Sequence, residues 1–476
     1  MGHVEQQRVT DTVQKMWSDE ILPSLSGLVE IPALSPGFDP EWQTSGHLDA
    51  AIEHVRAWMA SREIPGATID VVRLEGRSPV LLLDVPATPG AEDAGTVLLY
   101  GHLDKQPPVG GWAEGLGPWT PVIEGHKLFG RGSADDGYAG YAATAALEAV
   151  RAGDGAHARS VVLLETGEES GSPDLPAYLE HLSDRLGRVT FVVCLDSGGN
   201  DYERLWLTTS LRGLAQVDVT VRVLDSSQHS GLASGVVPDS FRVLRALLDR
   251  IEDATTGDVL IPECTVSIPD NRVSEARATA EVTPPGAVAG AFPLHGSTRP
   301  VADDDVELLL ANAWRPTLSV IGAAGFPDPA EAGNVLRSES TLALSFRLPP
   351  TADSAAALEA IKKALTTDVP YGATVELSGL EAADGWNAPD PAPWLADTLE
   401  SVSTSVFDAP WRTSGLGGSI PFMGLLGEKY PEAQFLVTGA LGPDSNAHVP
   451  DEWLHIPQAQ RVTEAVAHFL NAHAQG

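Results

Sequence analysis

Three times in this chain a short apolar run ends at an ionisable side chain beside glycine. Thr96-Val97-Leu98-Leu99-Tyr100-Gly101 runs into His102 and Asp104. Ser160-Val161-Val162-Leu163-Leu164 runs into Gly167-Glu168-Glu169, and Phe191-Val192-Val193-Cys194-Leu195 runs into Asp196-Ser197-Gly198. Runs of Val and Leu without polar alternation read as strands buried on both faces. Separated by helical patterns, they read as a parallel or mixed sheet with helices packed against it. In such open α/β sheets ligands bind beyond the carboxyl ends of the strands. The feature therefore predicts an α/β fold, a mixed sheet with helices on both faces, and one edge of it crowded with His102, Asp104, Glu168, Glu169 and Asp196.

Two further segments feed that edge. Gly130-Arg131-Gly132-Ser133-Ala134-Asp135-Asp136 is a glycine-rich loop opening onto an Ala-rich helix over 138–152. It lacks the lysine and spacing of a phosphate loop, and either Asp alone could be a helix cap. A strand over 435–439 leads to Asn446-Ala447-His448. A lone His-x-Asp is commonly a satisfied surface pair; what counts here is recurrence. So many carboxylates at close range cannot all ionise without a counter-ion, and two divalent metals resolve that conflict.

The rest of the chain frames this edge. At 476 residues it exceeds one ordinary core, so two domains are expected. Acidic residues outnumber basic ones 65 to 30, a formal charge of −35 that repels nucleic acid and anionic membranes. No apolar run reaches the length of a membrane span, and residues 1–6 do not read as a secretory signal. Two cysteines, Cys194 and Cys264, in no paired motif, suggest a reduced cytoplasmic protein. Residues 4–29 read as helical with Pro23 forcing a kink or break, 47–62 as an amphipathic helix, and 68–74 and 80–85 as strands. After Gly213 the pattern changes to strict alternation over 214–224, the mark of a sheet with one face in water. A helix over 239–252, a long irregular stretch to about 299, a strand over 341–348, a helix over 354–366 and a strand over 373–378 follow. The expected domains are thus a catalytic domain over 1–212 and 385–476, interrupted by an α+β insertion over 213–384.

Tyr100-Gly101-His102-Leu103-Asp104, Gly130-Arg131-Gly132-Ser133-Ala134-Asp135-Asp136, Glu168-Glu169-Ser170-Gly171, Asp196-Ser197-Gly198, His229-Ser230-Gly231 and Asn446-Ala447-His448 together resemble the carnosinase-like dipeptidases. These belong to the aminoacylase/glutamate-carboxypeptidase superfamily of two-metal hydrolases. The likeness runs in order along almost the whole chain. It implies that His102 and Asp196 hold one divalent metal, Glu169 and His448 a second, and that Asp135 bridges them. Zinc suits such a set, with manganese or cobalt able to substitute. Asp104 would orient His102, and Glu168 would be the general base. The insertion would be a lid and homodimerisation domain, from which His229, Asn334 and Arg347 reach a dipeptide-like substrate, Arg347 pairing with its free carboxylate. Gly418 and Ser419 resemble the substrate-binding loop of that family.

One departure stands out: where carnosinases carry a further lid histidine before Pro-Trp, this chain reads Asp384-Gly385-Trp386. That touches carnosine-type specificity rather than hydrolysis. The same machinery could instead deacylate N-acyl amino acids. A catalytically silent dimeric binding protein is the reading from another class, but such a chain should have lost a ligand or the base, and every position is filled.

Overall fold

A computed structural model describes residues 5–418 and 421–476, which divide into two compact units. The first comprises 1–209, 388–414 and 425–476, and the second 210–387 and 415–424. Segment 415–424, which carries Gly418, thus clusters with the insertion rather than with the C-terminal return.

The first unit is built on a six-stranded mixed sheet in the order Thr68–Val72, Val80–Val85, Arg159–Glu165, Thr96–His102, Val189–Cys194, Gln434–Val437. The first two pairings are antiparallel and the remaining three are parallel. Every residue of Thr96–His102 is buried, as its unbroken apolar sequence requires of a central strand. Leu81, Leu83, Leu99, Val162, Leu164 and Val193 join one large core with helices Gln6–Met16, His47–Ala60, Ala139–Ala152, Pro393–Phe407 and Ile456–His473. Their neighbours Leu82, Leu98, Val161, Leu163 and Val192 point the other way and are equally buried. The carboxyl ends of the parallel strands all fall on one edge.

The expected break at Pro23 takes a milder form. Helix Gln6–Met16 passes through a π-type turn, Trp17–Ile21, into helix Leu22–Val29. Pro23 lies in the first turn of that last segment, immediately after the π-type turn.

The second unit contains a four-stranded antiparallel sheet in the order Thr317–Ala324, Glu339–Leu348, Gly213–Arg222, Thr374–Ala383. Ala215, Val217, Val219 and Val221 share a core with Leu342, Leu344, Phe346, and with Val243, Leu244 and Ile361 from helices Ser240–Leu248 and Ser354–Thr366. The alternate positions Gln216, Asp218 and Thr220 stay half-exposed, so one face of the sheet is covered. The stretch expected to be irregular contains helix Asp270–Val282, which with Asp305–Trp314 closes a small core of Val273, Ala276, Leu310, Ala313 and Trp314. Its alanine-rich sequence has too few large aliphatic residues to display a helical stripe. Among the described residues no helix is long and apolar enough to cross a membrane.

Candidate metal centre

His102 is the last residue of strand Thr96–His102, and its side chain is wholly buried. Its Nδ1 lies 3.0 Å from the backbone carbonyl of Asp104 and 3.5 Å from the Asp104 carboxylate. Orientation by residue 104 therefore comes first through the main chain. The Asp104 carboxylate also accepts the backbone N–H of Glu168 (3.2 Å) and of Glu169 (3.0 Å). One side chain thus ties the histidine strand to the short 3₁₀ turn Glu168–Ser170.

With Nδ1 so engaged, Nε2 of His102 faces a set of carboxylates. Asp135 Oδ1 is 3.2 Å away, Asp196 Oδ2 3.9 Å and Glu168 Oε2 4.0 Å. The second oxygen of Asp135 lies 2.9 Å from Nε2 of His448, which is also 3.3 Å from Glu169 Oε2. Asp135 comes from the glycine-rich loop, and Gly101 is what lets that loop close on the strand end. A Cβ on Gly101 would stand 2.6 Å from the Ala139 Cβ and 2.8 Å from Asp136 Oδ2. His448 is delivered by an irregular segment and has a left-handed backbone, φ +66°.

Electrostatics follow from this crowding. Burial alone would lower the His102 pKa, but its bonds to Asp104 and Asp135 raise it well above the ordinary value. His448 is lifted to about 10 by its bonds to Asp135 and Glu169. Burial works against ionised Asp135, yet hydrogen bonds from the two imidazoles hold its carboxyl well below the usual range. Asp196 and Glu169 are pushed up by burial and by neighbouring carboxylates, and Glu168 reaches about 8 for the same reasons. The cluster thus holds protons where its charges conflict. Divalent ions would displace those protons, because ligation requires the deprotonated forms.

The residues fit such ions. His102, Glu168 and Asp196, and likewise His102, Asp135 and Glu169, present donor atoms within 4.8 Å of one another. Glu169 Oε1 is buried without a hydrogen-bond partner, an arrangement that costs free energy unless something else binds it. Two imidazoles with several carboxylates form a donor set suited to zinc.

Three nearby residues have roles that the sequence does not signal. Asp136 is buried, accepts the His102 N–H at 3.4 Å, and its other oxygen has no partner. Gln106 donates to Glu169 Oε2 at 2.6 Å. Glu452, fully buried, bonds to the loop that carries Asp135. An Asp beside a helix start, or a Glu in a loop, has no distinguishing sequence signal.

The remaining candidates lie in the second unit. His229 sits on a two-stranded ribbon, Gln228–His229 with Val335–Leu336. Its Nδ1 accepts the Gly231 N–H at 3.0 Å, which leaves Nε2 as the protonated nitrogen. A Cβ on Gly231 would stand 3.0 Å from the His229 ring, so any larger residue there would push the imidazole aside. Asn334 adjoins it, its carbonyl accepting from Ser230 N–H at 2.8 Å. Arg347 faces Thr317 and Leu214 across the sheet. Beside it is Arg212, which no sequence motif marks. Arg212 is 7% exposed, donates to the Gly417 carbonyl at 2.9 Å and to Thr317 Oγ1 at 3.3 Å, and its N–H bonds the Gly418 carbonyl at 3.2 Å. Burial and the Arg347 charge bring its pKa down to about 10. No carboxylate pairs with it among the described residues. Ser419 lies outside the described residues.

A profile of Peptidase family M20/M25/M40 matches residues 98–472. The Cysteinylglycine-S-conjugate dipeptidase of Corynebacterium striatum is 26% identical over 383 residues, 79% of this chain and 81% of that protein. The Cys-Gly metallodipeptidase dug1 of Schizosaccharomyces pombe (strain 972 / ATCC 24843) is 24% identical over 456 residues, 92% of each chain. Human carnosine dipeptidase 1, a crystal structure, has a TM-score of 0.73 at 23% identity, covering 99% of this chain and 100% of its own.

Proposed function

The chain is an enzyme of peptidase family M20/M25/M40, and from that membership we propose that it is a two-metal dipeptidase, cutting the amide bond of small peptides that end in a free carboxylate. One observation carries the proposal. Asp135 turns Oδ1 to His102 at 3.2 Å and Oδ2 to His448 at 2.9 Å, the posture of a carboxylate that bridges two cations. His102 and Asp196 then complete one ligand set, and Glu169 and His448 the other, with zinc favoured over manganese or cobalt. Bound there, such ions would supply Lewis acidity, acidifying a water and polarising the scissile carbonyl.

The chain's own residues supply the rest. Glu168, buried and reluctant to give up a proton, is the general base that takes one from the attacking water and passes it to the leaving amine. Asp104 holds the Glu168 turn and His102 in one frame. Arg347 pairs with the terminal carboxylate, and Arg212, desolvated beside it with no acidic partner among the described residues, adds the charge that makes an anion welcome. His229 donates from Nε2 to the oxygen on which negative charge develops. Asn334, Gly418 and Ser419 border the substrate. The likeness to dipeptidases further supports a homodimer formed through the insertion, and two free buried cysteines support a cytoplasmic location.

The test is hydrolysis of a library of dipeptides and N-acyl amino acids by chelator-stripped, zinc-reconstituted protein. Metal-dependent cleavage of free dipeptides is expected. Cleavage of N-acyl amino acids alone would make the enzyme a deacylase, and two bound metals with no turnover would make it a silent binding protein.

A further inference from the structure

His448 and Asp135 come from chain segments more than three hundred residues apart, and one buried carboxylate stitches those segments together. Glu452, 0% exposed, lies four residues beyond His448. Its Oε1 accepts the backbone N–H groups of Gly132 (3.0 Å), Ala134 (3.2 Å) and Asp135 (3.3 Å). Its Oε2 accepts from Arg131 Nη1 at 2.7 Å, and its carbonyl accepts the Gly130 N–H at 2.9 Å. Arg131 completes the loop by donating from Nη2 to the Val449 carbonyl at 3.0 Å. Each segment thus holds the other by side chain and by main chain, immediately next to the two residues that meet at 2.9 Å.

From this geometry we infer that Glu452, with Arg131, is a positioning residue that fixes the spacing between Asp135 and His448 and so sets the affinity of the metal His448 binds. The inference rests on the two-metal reading of the site. Neither side chain is one of the proposed metal ligands. The pair acts through backbone: the Asp135 amide is bonded directly, and the His448 segment is anchored at 449 and 452. His102 and Asp196 are carried by strand ends outside these bonds, so the first metal, which shares only Asp135 with the pair, should be weakened less than the second. Partners of ligands that are removed by substitution commonly lower metal affinity about 10–100-fold.

Glu452→Gln keeps the shape and the three amide bonds of Oε1 but turns an NH2 toward the Arg131 guanidinium. Arg131→Lys keeps the charge but cannot reach both Glu452 and the Val449 carbonyl. Zinc binding to each variant and to the unaltered chain is measured by chelator competition, with thermal melting of the metal-free forms alongside. Expected is a variant that melts cooperatively, loses little affinity for one zinc and binds the second about ten- to a hundredfold more weakly, Glu452→Gln more than Arg131→Lys. Two zincs bound at full affinity by a folded variant overturns the inference. So does loss of both zincs together with the melting transition in both variants, which would make the pair a general structural bond. An unaltered chain that binds no zinc overturns the two-metal reading, and this inference with it.

Discussion

At the scale of single residues, the adjacent glutamates are the sharpest case, because the proposed function gives neighbours in sequence different work. Both amides of Glu168 and Glu169 are held by Asp104, and from that shared anchor the side chains diverge. Glu169 meets His448 at 3.3 Å, whereas Glu168 lies 4.0 Å from His102, on the side of Asp196. Glu168→Gln should therefore keep both metals and lose about 10²–10⁴-fold in kcat, the range that positioned acid–base catalysis supplies. Glu169→Gln should lose affinity for one metal first and activity as a consequence. Metal content and kcat measured on the same preparations decide it; exchanged behaviours would reverse the two roles. The ligand-type residues were legible in the sequence because each follows a strand or a glycine turn. Glu452, Asp136 and Gln106 were not, because their importance is a matter of which backbone N–H they meet, and no residue pattern announces that.

At the scale of elements, the strands were readable and their partners less so. The burial of Val217, Val219 and Val221 and of Leu342, Leu344 and Phe346 follows the alternation of the sequence. Strand Thr317–Ala324 is harder to read because it is an edge whose apolar residues do not sort by face: Leu318 packs on the core while Val320 and Ile321 are exposed. Yet that strand supplies Thr317, on which Arg212 leans opposite Arg347. Arg347→Ala should penalise free dipeptides far more than their carboxamides, and Arg212→Ala should do so to a smaller degree. Equal losses on both substrates would make these arginines structural. A second element-level consequence concerns acid. His157, between helix Ala139–Ala152 and strand Arg159–Glu165, lies within bonding distance of the Ala158 carbonyl through Nδ1 and accepts from Arg151 at Nε2, both at 2.8 Å. Burial, together with the Arg151 charge, lowers its pKa to about 4. The unfolded chain takes up this proton from about pH 6.5 downward, the folded chain only near 4, so stability is full above the window and falls as pH drops through it. The loss approaches about 3 kcal/mol below pH 4. Urea midpoints of the unaltered chain and of His157→Gln, taken at pH 7 and pH 5, should differ in slope; parallel slopes would remove His157 from the account.

At the scale of the whole molecule, the proposed homodimer would let one chain supply part of the active site of the other. The first unit carries a complete set of metal-ligand candidates, and the second carries His229, exposed on its short ribbon with Nε2 as the donor nitrogen. An oxyanion donor of this kind commonly contributes about 3–4 kcal/mol to the transition state, so a chain lacking it should be nearly inactive. In a homodimer joined through the insertion, His229 would serve the site of its neighbour. Mixed dimers test this without any assumption about how the units sit. Glu168→Gln and His229→Ala chains are each nearly inactive alone. Co-expressed, they form a mixed dimer in which, if His229 acts in trans, one site pairs an intact Glu168 with an intact His229 while the other holds both defects. A random mixture is about half mixed dimers, so activity should return to roughly a quarter of that of the unaltered enzyme per site, by the independence of separate sites. If His229 serves its own chain, every site keeps one defect and mixing restores nothing.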